Sequence, residues 1–184
     1  MLPITTLVSQ CTPAIAPVTM KAIVQTESAG DPWVLWDNTA HRGYHPRSRQ
    51  EALRILRVLI AEGHQVDVGI AQIDTENFAQ YHLTPKTALN ACANLQVGGE
   101  ILRADWQQSI ARGMTGQNAL LHTLEAYNSG HLFGDLQYAS RAFQAAGAPS
   151  FLHVGESARI THSASTFPQY RWTAKPAQGW ALLP

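Results

Sequence analysis

The feature that most limits the possible folds is a row of helix-length segments separated by glycine and proline. The clearest is SRQEALRILRVLIAEG, which predicts a helix over 48–62. Ser48 and Glu51 form a capping-box pattern, and Gly63 follows the end. Its apolar residues fall on one stripe, as packing against a core requires: Leu53, Leu56, Leu59 and Ile60. This pattern favours a mainly helical domain.

Similar start and stop signals predict helices before and after this segment. We expect them over 17–29, 90–106, 118–127 and 135–146, with a further helical turn opened by Thr84 and Pro85. The remaining segments are shorter and less regular. The run WVLW within 33–46 could form a strand, and 66–73 is expected to be a turn or short strand.

Composition bounds the class of protein. The chain has 184 residues, of which 45% are hydrophobic and 14% charged, and its formal net charge is zero. We expect one domain over 1–147 and a flexible tail containing Pro, Ser and Thr over 148–184. A neutral chain has no overall basic field to attract nucleic acid or anionic lipid. No apolar run reaches the roughly 20 residues that span a bilayer, and no cofactor is expected.

The first residues, MLPITTLVSQC, do not read as a signal peptide. They lack a basic start, and Pro3 and two threonines interrupt the apolar stretch. The chain is then either a mature or trimmed form, or it uses an export route that the sequence does not reveal.

Cysteine and histidine offer little for a metal site. The two cysteines, Cys11 and Cys92, are either buried free thiols or one disulfide, and no C-x-x-C spacing is present. His41 and His45 have a spacing of four residues, but Gly43 lies between them and a third ligand is missing. We therefore expect no metal, and an exposed loop at these histidines.

One glutamate is notable because helical spacing places it along an apolar stripe. On the helix predicted over 17–29, Glu27 shares a face with Met20 and Ile23. Burial there would raise the pKa of Glu27, and the negative end of the helix dipole acts in the same direction. A neutral carboxylic acid is what protonation of a glycosidic oxygen needs. Taken alone, the position is better explained by a helix-end glutamate that faces water.

Two further motifs carry polar side chains that suit a sugar site. In GIAQI, at 69–73, Gln72 offers an amide between apolar residues. In AYNSG, at 126–130, Tyr127 and Asn128 end a predicted helix, and the tyrosine could hydrogen-bond a carboxyl in an apolar site. Each motif alone also fits ordinary structural residues, a buried glutamine and a core tyrosine near a helix C-cap.

In this order, ESAG, GIAQI and AYNSG resemble the motifs of the goose-lysozyme-like lytic transglycosylases. The resemblance is strongest to the small peptidoglycan transglycosylases of type IV secretion and conjugation systems. It spans about residues 11–130 and includes CTPAIAP at 11–17, residues 51–73 and CANLQVGG at 92–99. Two positions depart from the family pattern: Ala29 stands where Gly is frequent, and Asp74 where Asn is common.

The resemblance implies a mainly α, lysozyme-like (goose-type) fold with a small extended or β segment. It also implies cleavage of the β-1,4 bond between N-acetylmuramic acid and N-acetylglucosamine, with a 1,6-anhydro product and Glu27 as the catalytic acid and base. The matched positions that would hold sugar or orient Glu27 are Ser28, Gln72, Ile73, Tyr127 and Asn128. Cys11 and Cys92 match a bridged pair, which places the protein in the periplasm or cell envelope. The implied partners are glycan strands and a type IV secretion or conjugation apparatus.

Two alternatives remain open on the sequence. A lysozyme-type hydrolase usually needs a second carboxylate, and the acids near the motifs are Asp31, Asp37, Asp67 and Asp74. Asp37 is the best placed of these in sequence, but we expect a solvated loop aspartate. The other alternative is a non-catalytic module that binds glycan or scaffolds the same machine, with Trp33, Trp36 and Tyr44 as sugar platforms.

Overall fold

Helices form most of the protein. The structure, a computed structural model, describes residues 2–148. Its helices are α1 (Ile4–Cys11), α2 (Pro17–Ser28), α3 (Arg49–Ala61), α4 (Pro85–Ala88), α5 (Ala91–Ala111), α6 (Gly116–Ser129) and α7 (Leu136–Ala145). Its strands are β1 (Leu35–Asp37), β2 (Arg42–Tyr44), β3 (Val66–Val68) and β4 (Ile73–Asp74), followed by a 3-10 turn at Thr75–Asn77. The prediction of a mainly helical, lysozyme-like fold with a small β segment is confirmed. The tail expected over 148–184 lies outside the described residues, except for Ala148.

The N-terminal helix α1 is a helix that the sequence does not predict. Its cap, Pro3, makes no side-chain hydrogen bond, and two threonines lower its intrinsic helix propensity. Packing stabilises it instead: Leu7 and Val8 are buried against the core. Cys11, its last residue, forms a disulfide with Cys92 of α5, which confirms the bridge and closes a separation of 81 residues.

The predictions for helix α3 are confirmed at its N-cap and partly wrong along its apolar face. The Ser48 side chain accepts a hydrogen bond from the Glu51 backbone N–H at 3.2 Å, as predicted. The Glu51 carboxylate, however, accepts from the backbone N–H of Arg47 instead of closing the box on Ser48. The predicted apolar stripe is wrong at Ile60, which is 37% exposed, whereas Ala52 is fully buried. A small residue at that point allows α3 to pack closely on the core.

The strands form one antiparallel sheet in the order β2–β1–β3–β4. Leu35 of β1 pairs with Tyr44 of β2 and with Val68 of β3, so β1 and β3 lie in the middle. Alternate residues of these two strands are buried: Leu35 and Asp37 on β1, Val66 and Val68 on β3. The WVLW run therefore does contain a strand, and the residues between the buried ones face out of the sheet.

Long-range packing brings the last helix onto the second. Helix α7 packs against both α2 and α6, while α5 lies along α6 and α1. The core between them includes Met20 and Ile23 of α2, Leu95 of α5 and Phe143 of α7. None of the helices in 2–148 is both long and apolar enough to cross a membrane.

Candidate active site

The carboxyl group of Glu27 lies between α2 and α7. Helix α2 buries Met20, Ile23 and Val24, and Glu27 follows in its last turn as a partly buried residue. The hydroxyl of Tyr138 on α7 donates a hydrogen bond to Glu27 Oε1 at 2.5 Å. The helix-end glutamate thus does not simply face water, and one carboxylate oxygen is held by a phenol.

Burial raises the pKa of Glu27 from its usual 4.5 to about 7. The Tyr138 hydrogen bond and the more distant Arg141 act against this rise, since both favour the carboxylate, whereas the charge of Asp67 adds to it. Burial also raises the pKa of Tyr138 well above its usual value, with the negative charge of Glu27 as a further cause. Tyr138 therefore stays a neutral donor while Glu27 changes its protonation state near neutral pH.

Asp67 is the second acidic group that influences this site. It lies on β3, where it pairs directly with Asp74 of β4. Burial raises the pKa of Asp67 to about 6; the hydrogen bond from Asn38 Nδ2, at 3.0 Å, opposes the rise, and the charge of Asp74 adds to it. The sheet thus presents a carboxyl group whose charge reaches Glu27.

The turn at 69–72 is tied to three helices by side-chain hydrogen bonds to its backbone. Ser28 Oγ, at the end of α2, donates to the Ile70 carbonyl at 2.8 Å. Tyr127 Oη, on α6, donates to the Ala71 carbonyl at 2.8 Å. Asn94, on α5, accepts from the Ala71 N–H at 2.8 Å. The three motifs recognised in the sequence therefore meet at one turn.

Two glycines allow this turn to approach α5. Gly69 has a φ of +81°, and a Cβ there would lie 2.8 Å from Asn94 Nδ2. A Cβ on Gly98 of α5 would lie 2.9 Å from Ala71 Cβ and 3.0 Å from Tyr127 Oη. Neither contact leaves room for a side chain, so the glycines set the distance between the turn and the helix.

Gln72 adopts a left-handed backbone conformation, with a φ of +47°. A non-glycine residue is uncommon there and costs energy. Its side chain compensates, because Nε2 donates to the carbonyls of Gly69 at 2.8 Å and Val34 at 3.2 Å. The amide thereby stabilises the turn, and Ser28, the residue after Glu27, hydrogen-bonds to the same turn.

Comparison with known proteins decides the family. Residues 6–146 match the model of the transglycosylase SLT domain. The chain belongs to the SLT transglycosylase domain family.

Relatives of this SLT domain include proteins of bacterial secretion systems. It is 35% identical over 124 residues to the protein virB1 of Agrobacterium fabrum, which covers 66% of this chain and 49% of that protein. It is 33% identical over 164 residues to the type IV secretion system protein virB1 of Brucella abortus, covering 88% of this chain and 66% of that protein. The chain thus spans about half the length of the Agrobacterium relatives. No solved structure matches it significantly.

Three of the five residues predicted to hold sugar or orient Glu27 meet at one turn in the SLT domain, and the other two do not. Ser28, Gln72 and Tyr127 converge on the turn beside the acid, where their hydrogen bonds go to protein backbone. Ile73 is buried in β4, so only its backbone is available to a ligand. Asn128 is exposed and donates to Asp135 at 3.3 Å. Sugar binding by these residues stays a prediction.

The phenol that holds Glu27 is Tyr138, not Tyr127. The AYNSG motif indicates Tyr127 as this partner, but the Tyr127 hydroxyl donates to the Ala71 carbonyl, and its ring stacks on that of Tyr138 at a centroid distance of 6.5 Å. The available signal for Tyr138 was weak: one tyrosine three residues after the Asp135 helix cap. Nothing local indicated that α7 would pack on α2.

The prediction for Asp37 is wrong. A solvated loop aspartate was expected there, whereas Asp37 lies in β1 with no exposed surface. Its carboxylate pairs with His64 at 2.8 Å and accepts from the N–H groups of Thr39 and Ala40. Burial opposes ionisation of Asp37, but these hydrogen bonds outweigh burial and hold its pKa below the usual range. Asp37 therefore stabilises the β1–α3 region rather than serving as a second acid.

The two histidines spaced four residues apart lie at the surface. His41 and His45 flank β2, and both are exposed, as the sequence analysis predicts. Among residues 2–148, His, Cys, Asp and Glu side chains nowhere gather in a group of three that could hold a metal ion.

Proposed function

We propose that this SLT domain is a peptidoglycan lytic transglycosylase that uses Glu27 as its single acid and base. The bond cleaved is the β-1,4 bond between N-acetylmuramic acid and N-acetylglucosamine, and the product carries a 1,6-anhydro ring. The observation that carries the proposal is a carboxyl group with a pKa of about 7, held at one oxygen by Tyr138. Family membership supports the same activity.

The raised pKa suits the first step. At neutral pH a large fraction of Glu27 carries a proton, which it donates to the departing oxygen of N-acetylglucosamine as the glycosidic bond breaks. Tyr138 bonds Oε1, so the proton is delivered from Oε2. The loss of that proton leaves a carboxylate that the Tyr138 hydroxyl stabilises.

The second step returns the proton to Glu27. The carboxylate removes the proton from the C6 hydroxyl of the muramic acid residue, and the resulting oxygen bonds to the anomeric carbon. Atoms and charge balance without a water molecule, and Glu27 ends the cycle protonated. One group acts in both directions efficiently when its pKa lies near the working pH, as it does here.

A muramidase is the second candidate because Asp67 supplies a further carboxyl whose charge reaches Glu27. In a hydrolase such a group would activate water on the opposite face of the sugar. The pKa of Asp67, raised to about 6, leaves it mostly ionised at pH 7 and hence able to act as a base. The two reactions differ in their products, since hydrolysis leaves a reducing end.

The proposal also includes where the protein acts in the cell. Relatives in Brucella are named type IV secretion system proteins, and we place this domain at the cell wall, where it opens peptidoglycan for a secretion or conjugation apparatus. The Cys11–Cys92 disulfide supports an oxidising compartment such as the periplasm. Its partners there would be glycan strands and components of that apparatus.

The experiment is digestion of purified sacculi by the protein and by Glu27→Gln, with the soluble products identified by mass spectrometry. We expect anhydro-muropeptides from the parent protein and a loss of at least 100-fold in Glu27→Gln, because the amide cannot transfer the proton. Asp67→Asn distinguishes the two candidates by the kind of product: whatever its rate, the products that it releases should still carry anhydro ends. Reducing-end products that disappear in Asp67→Asn would support the muramidase instead, and undiminished activity in Glu27→Gln would reject both.

A further inference from the structure

The outward face of the sheet carries a row of residues that the proposed chemistry does not use. Trp36 of β1 pairs directly with Gly43 of β2 on one side and with Asp67 of β3 on the other. Asp67 pairs in turn with Asp74 of β4. Directly paired residues of antiparallel strands project from the same face, so an indole and two carboxyl groups share this surface.

Trp36 is the exposed aromatic residue of the three considered as platforms. Its side chain is 42% exposed, whereas Trp33 and Tyr44 are partly buried and pack against the core. Tyr44 is also covered by the Arg42 guanidinium, 5.0 Å from its ring centre. The sequence suggested all three, and the structure leaves only Trp36 with its ring available.

Gly43 leaves the space beside the Trp36 indole free of a neighbouring side chain. A Cβ at Gly43 would lie 3.5 Å from Trp36 Cε3, so the ring reaches over the strand where the neighbour has no side chain. The ring is thereby supported from one side by backbone. An aromatic face that is supported on one side and open on the other suits stacking against the C–H face of a sugar ring.

Asp67 connects this surface to the catalytic acid. Its charge acts on Glu27, and it is the direct cross-strand neighbour of Trp36. One carboxylate oxygen accepts from Asn38 Nδ2 at 3.0 Å. Strand β3, which carries Asp67, continues into the turn at 69–72, where Ser28, the residue after Glu27, bonds the Ile70 carbonyl. The Asp67 carboxyl shares the sheet face with Trp36 and can accept from sugar hydroxyl or amide N–H groups.

We propose that Trp36 and Asp67 form a saccharide subsite in which the indole stacks on an aminosugar ring of the glycan strand and Asp67 accepts a hydrogen bond from it. The subsite lies on the outward face of the sheet, where Trp36 and Asp67 are direct cross-strand neighbours. It deepens the proposed function and rests on it, because the occupant is the strand that Glu27 cleaves. Its role is to hold the strand rather than to transfer a proton.

The test measures binding separately from cleavage, in the inactive Glu27→Gln background. Co-sedimentation with purified sacculi should show that adding Trp36→Ala raises the apparent Kd about 5-fold, from loss of stacking. Adding Trp36→Phe, which keeps an aromatic face, should raise it about 2-fold or less. Ile110→Ala is the matched control, because Ile110 is 43% exposed on α5, and it should leave Kd unchanged.

A second measurement does not depend on the alanine variant folding. In the Glu27→Gln protein, addition of N-acetylglucosamine tetrasaccharide should shift the indole N–H proton resonance of Trp36, assigned by its loss in Trp36→Phe. The corresponding resonances of Trp33 and Trp106, which pack against the core, should stay in place.

The outcomes separate this inference from the function on which it rests. The subsite would be overturned if Glu27→Gln bound sacculi equally well with and without Trp36→Ala, or if the Trp36 resonance did not move. Either result would stand even if the protein with Glu27 intact forms anhydro products. If Trp36→Ala weakens binding in the Glu27→Gln background while the protein with Glu27 intact releases no anhydro products, the subsite is supported and the proposed transglycosylase activity is rejected.

Discussion

The hydroxyl of Tyr138 lies 2.5 Å from Glu27 Oε1, and this single hydrogen bond joins residues that are 111 positions apart in the chain. It connects the last turn of α2 to α7 and fixes the direction of the acid. It also moderates the effect of burial, because it favours the carboxylate while burial favours the neutral acid. The balance leaves the pKa of Glu27 at about 7.

The first prediction concerns pH. In the proposed mechanism cleavage starts with protonated Glu27, so activity should fall as pH rises through about 7. In Tyr138→Phe the bond that favours the carboxylate is lost, so the pKa rises further and the alkaline limb moves upward by about one pH unit. Turnover at the optimum should fall by about 10-fold because the acid is no longer oriented. The measurement is kcat/KM on sacculi from pH 5 to 9.

Tyr81→Phe is the control for this profile. Tyr81 is a partly buried tyrosine that packs against the core, whereas Tyr138 is buried and bonds Glu27. Its profile should overlay that of the parent protein. An alkaline limb that stays in place in Tyr138→Phe would contradict the assignment of the hydrogen bond to the titrating acid.

The second prediction concerns Asp105, a buried acid on α5. It is 8% exposed, and its Oδ2 finds no hydrogen-bond partner among residues 2–148. Burial raises the pKa of Asp105 to about 7. Between its unfolded value near 4 and this folded value, the native state binds more protons than the unfolded state, so stability falls as pH rises.

Asp105→Asn removes this titration. The variant should gain on the order of 2 kcal/mol of unfolding free energy at pH 8 relative to the parent, with little gain at pH 4, where the acid is neutral. Urea unfolding at both pH values measures the difference. A variant whose stability differs from the parent by the same amount at pH 4 and pH 8 would show that Asp105 does not titrate in this range.

The third prediction concerns the Cys11–Cys92 bridge between α1 and α5. It closes a loop of 81 residues, and constraining a loop of that length in the unfolded chain stabilises a protein by about 4 kcal/mol. The Cys11→Ala/Cys92→Ala double variant should lose about that much, and α1 should become the first segment to exchange its amide hydrogens. The reduced parent protein should behave like the double variant, whereas equal stability with and without reductant would refute the prediction.

The fourth prediction concerns the contact between α5 and the turn at 69–72. Gly98→Ala inserts a methyl group 2.9 Å from Ala71 Cβ and 3.0 Å from Tyr127 Oη, so the turn must move. We expect a loss of about 1–3 kcal/mol in stability from overpacking and reduced cleavage of sacculi.

Gly99→Ala is the matched control, in the same helix and one residue further on. A Cβ at Gly99 meets Thr12 Cγ2 at 3.2 Å, on the side of α5 away from the turn. The better helix propensity of alanine offsets that tighter contact, so stability and activity should change little. Equal losses in the two variants would show that the turn is not the sensitive partner.

Much of the helical fold was predictable because its signals are local. Pro17 at the start of α2, Ser48 at the cap of α3 and Asp135 at the cap of α7 act on backbone groups within a few residues. The apolar stripe beside Glu27 is equally local, since it depends on residues one and two turns away. These features were therefore visible before any tertiary contact was known.

Helix α1 and the burial of Asp37 were not predictable in this way. Helix α1 has no side-chain cap and depends on core contacts through Val8 and on the disulfide at Cys11. Asp37 is buried because β1 lies inside the sheet, where His64 from the end of α3 can reach it. Both outcomes depend on partners that are distant in sequence.

From the sequence alone came the prediction that Glu27 is the acid, the order of the three motifs and the helical class of the fold. The spatial structure decided which phenol bonds Glu27, how deeply Glu27 is buried, and that Trp36 and Asp67 share one face of the sheet. The physical reason is range: helix caps and apolar stripes act within a few residues, whereas pKa values and cross-strand neighbours arise from segments that meet only after the chain has folded.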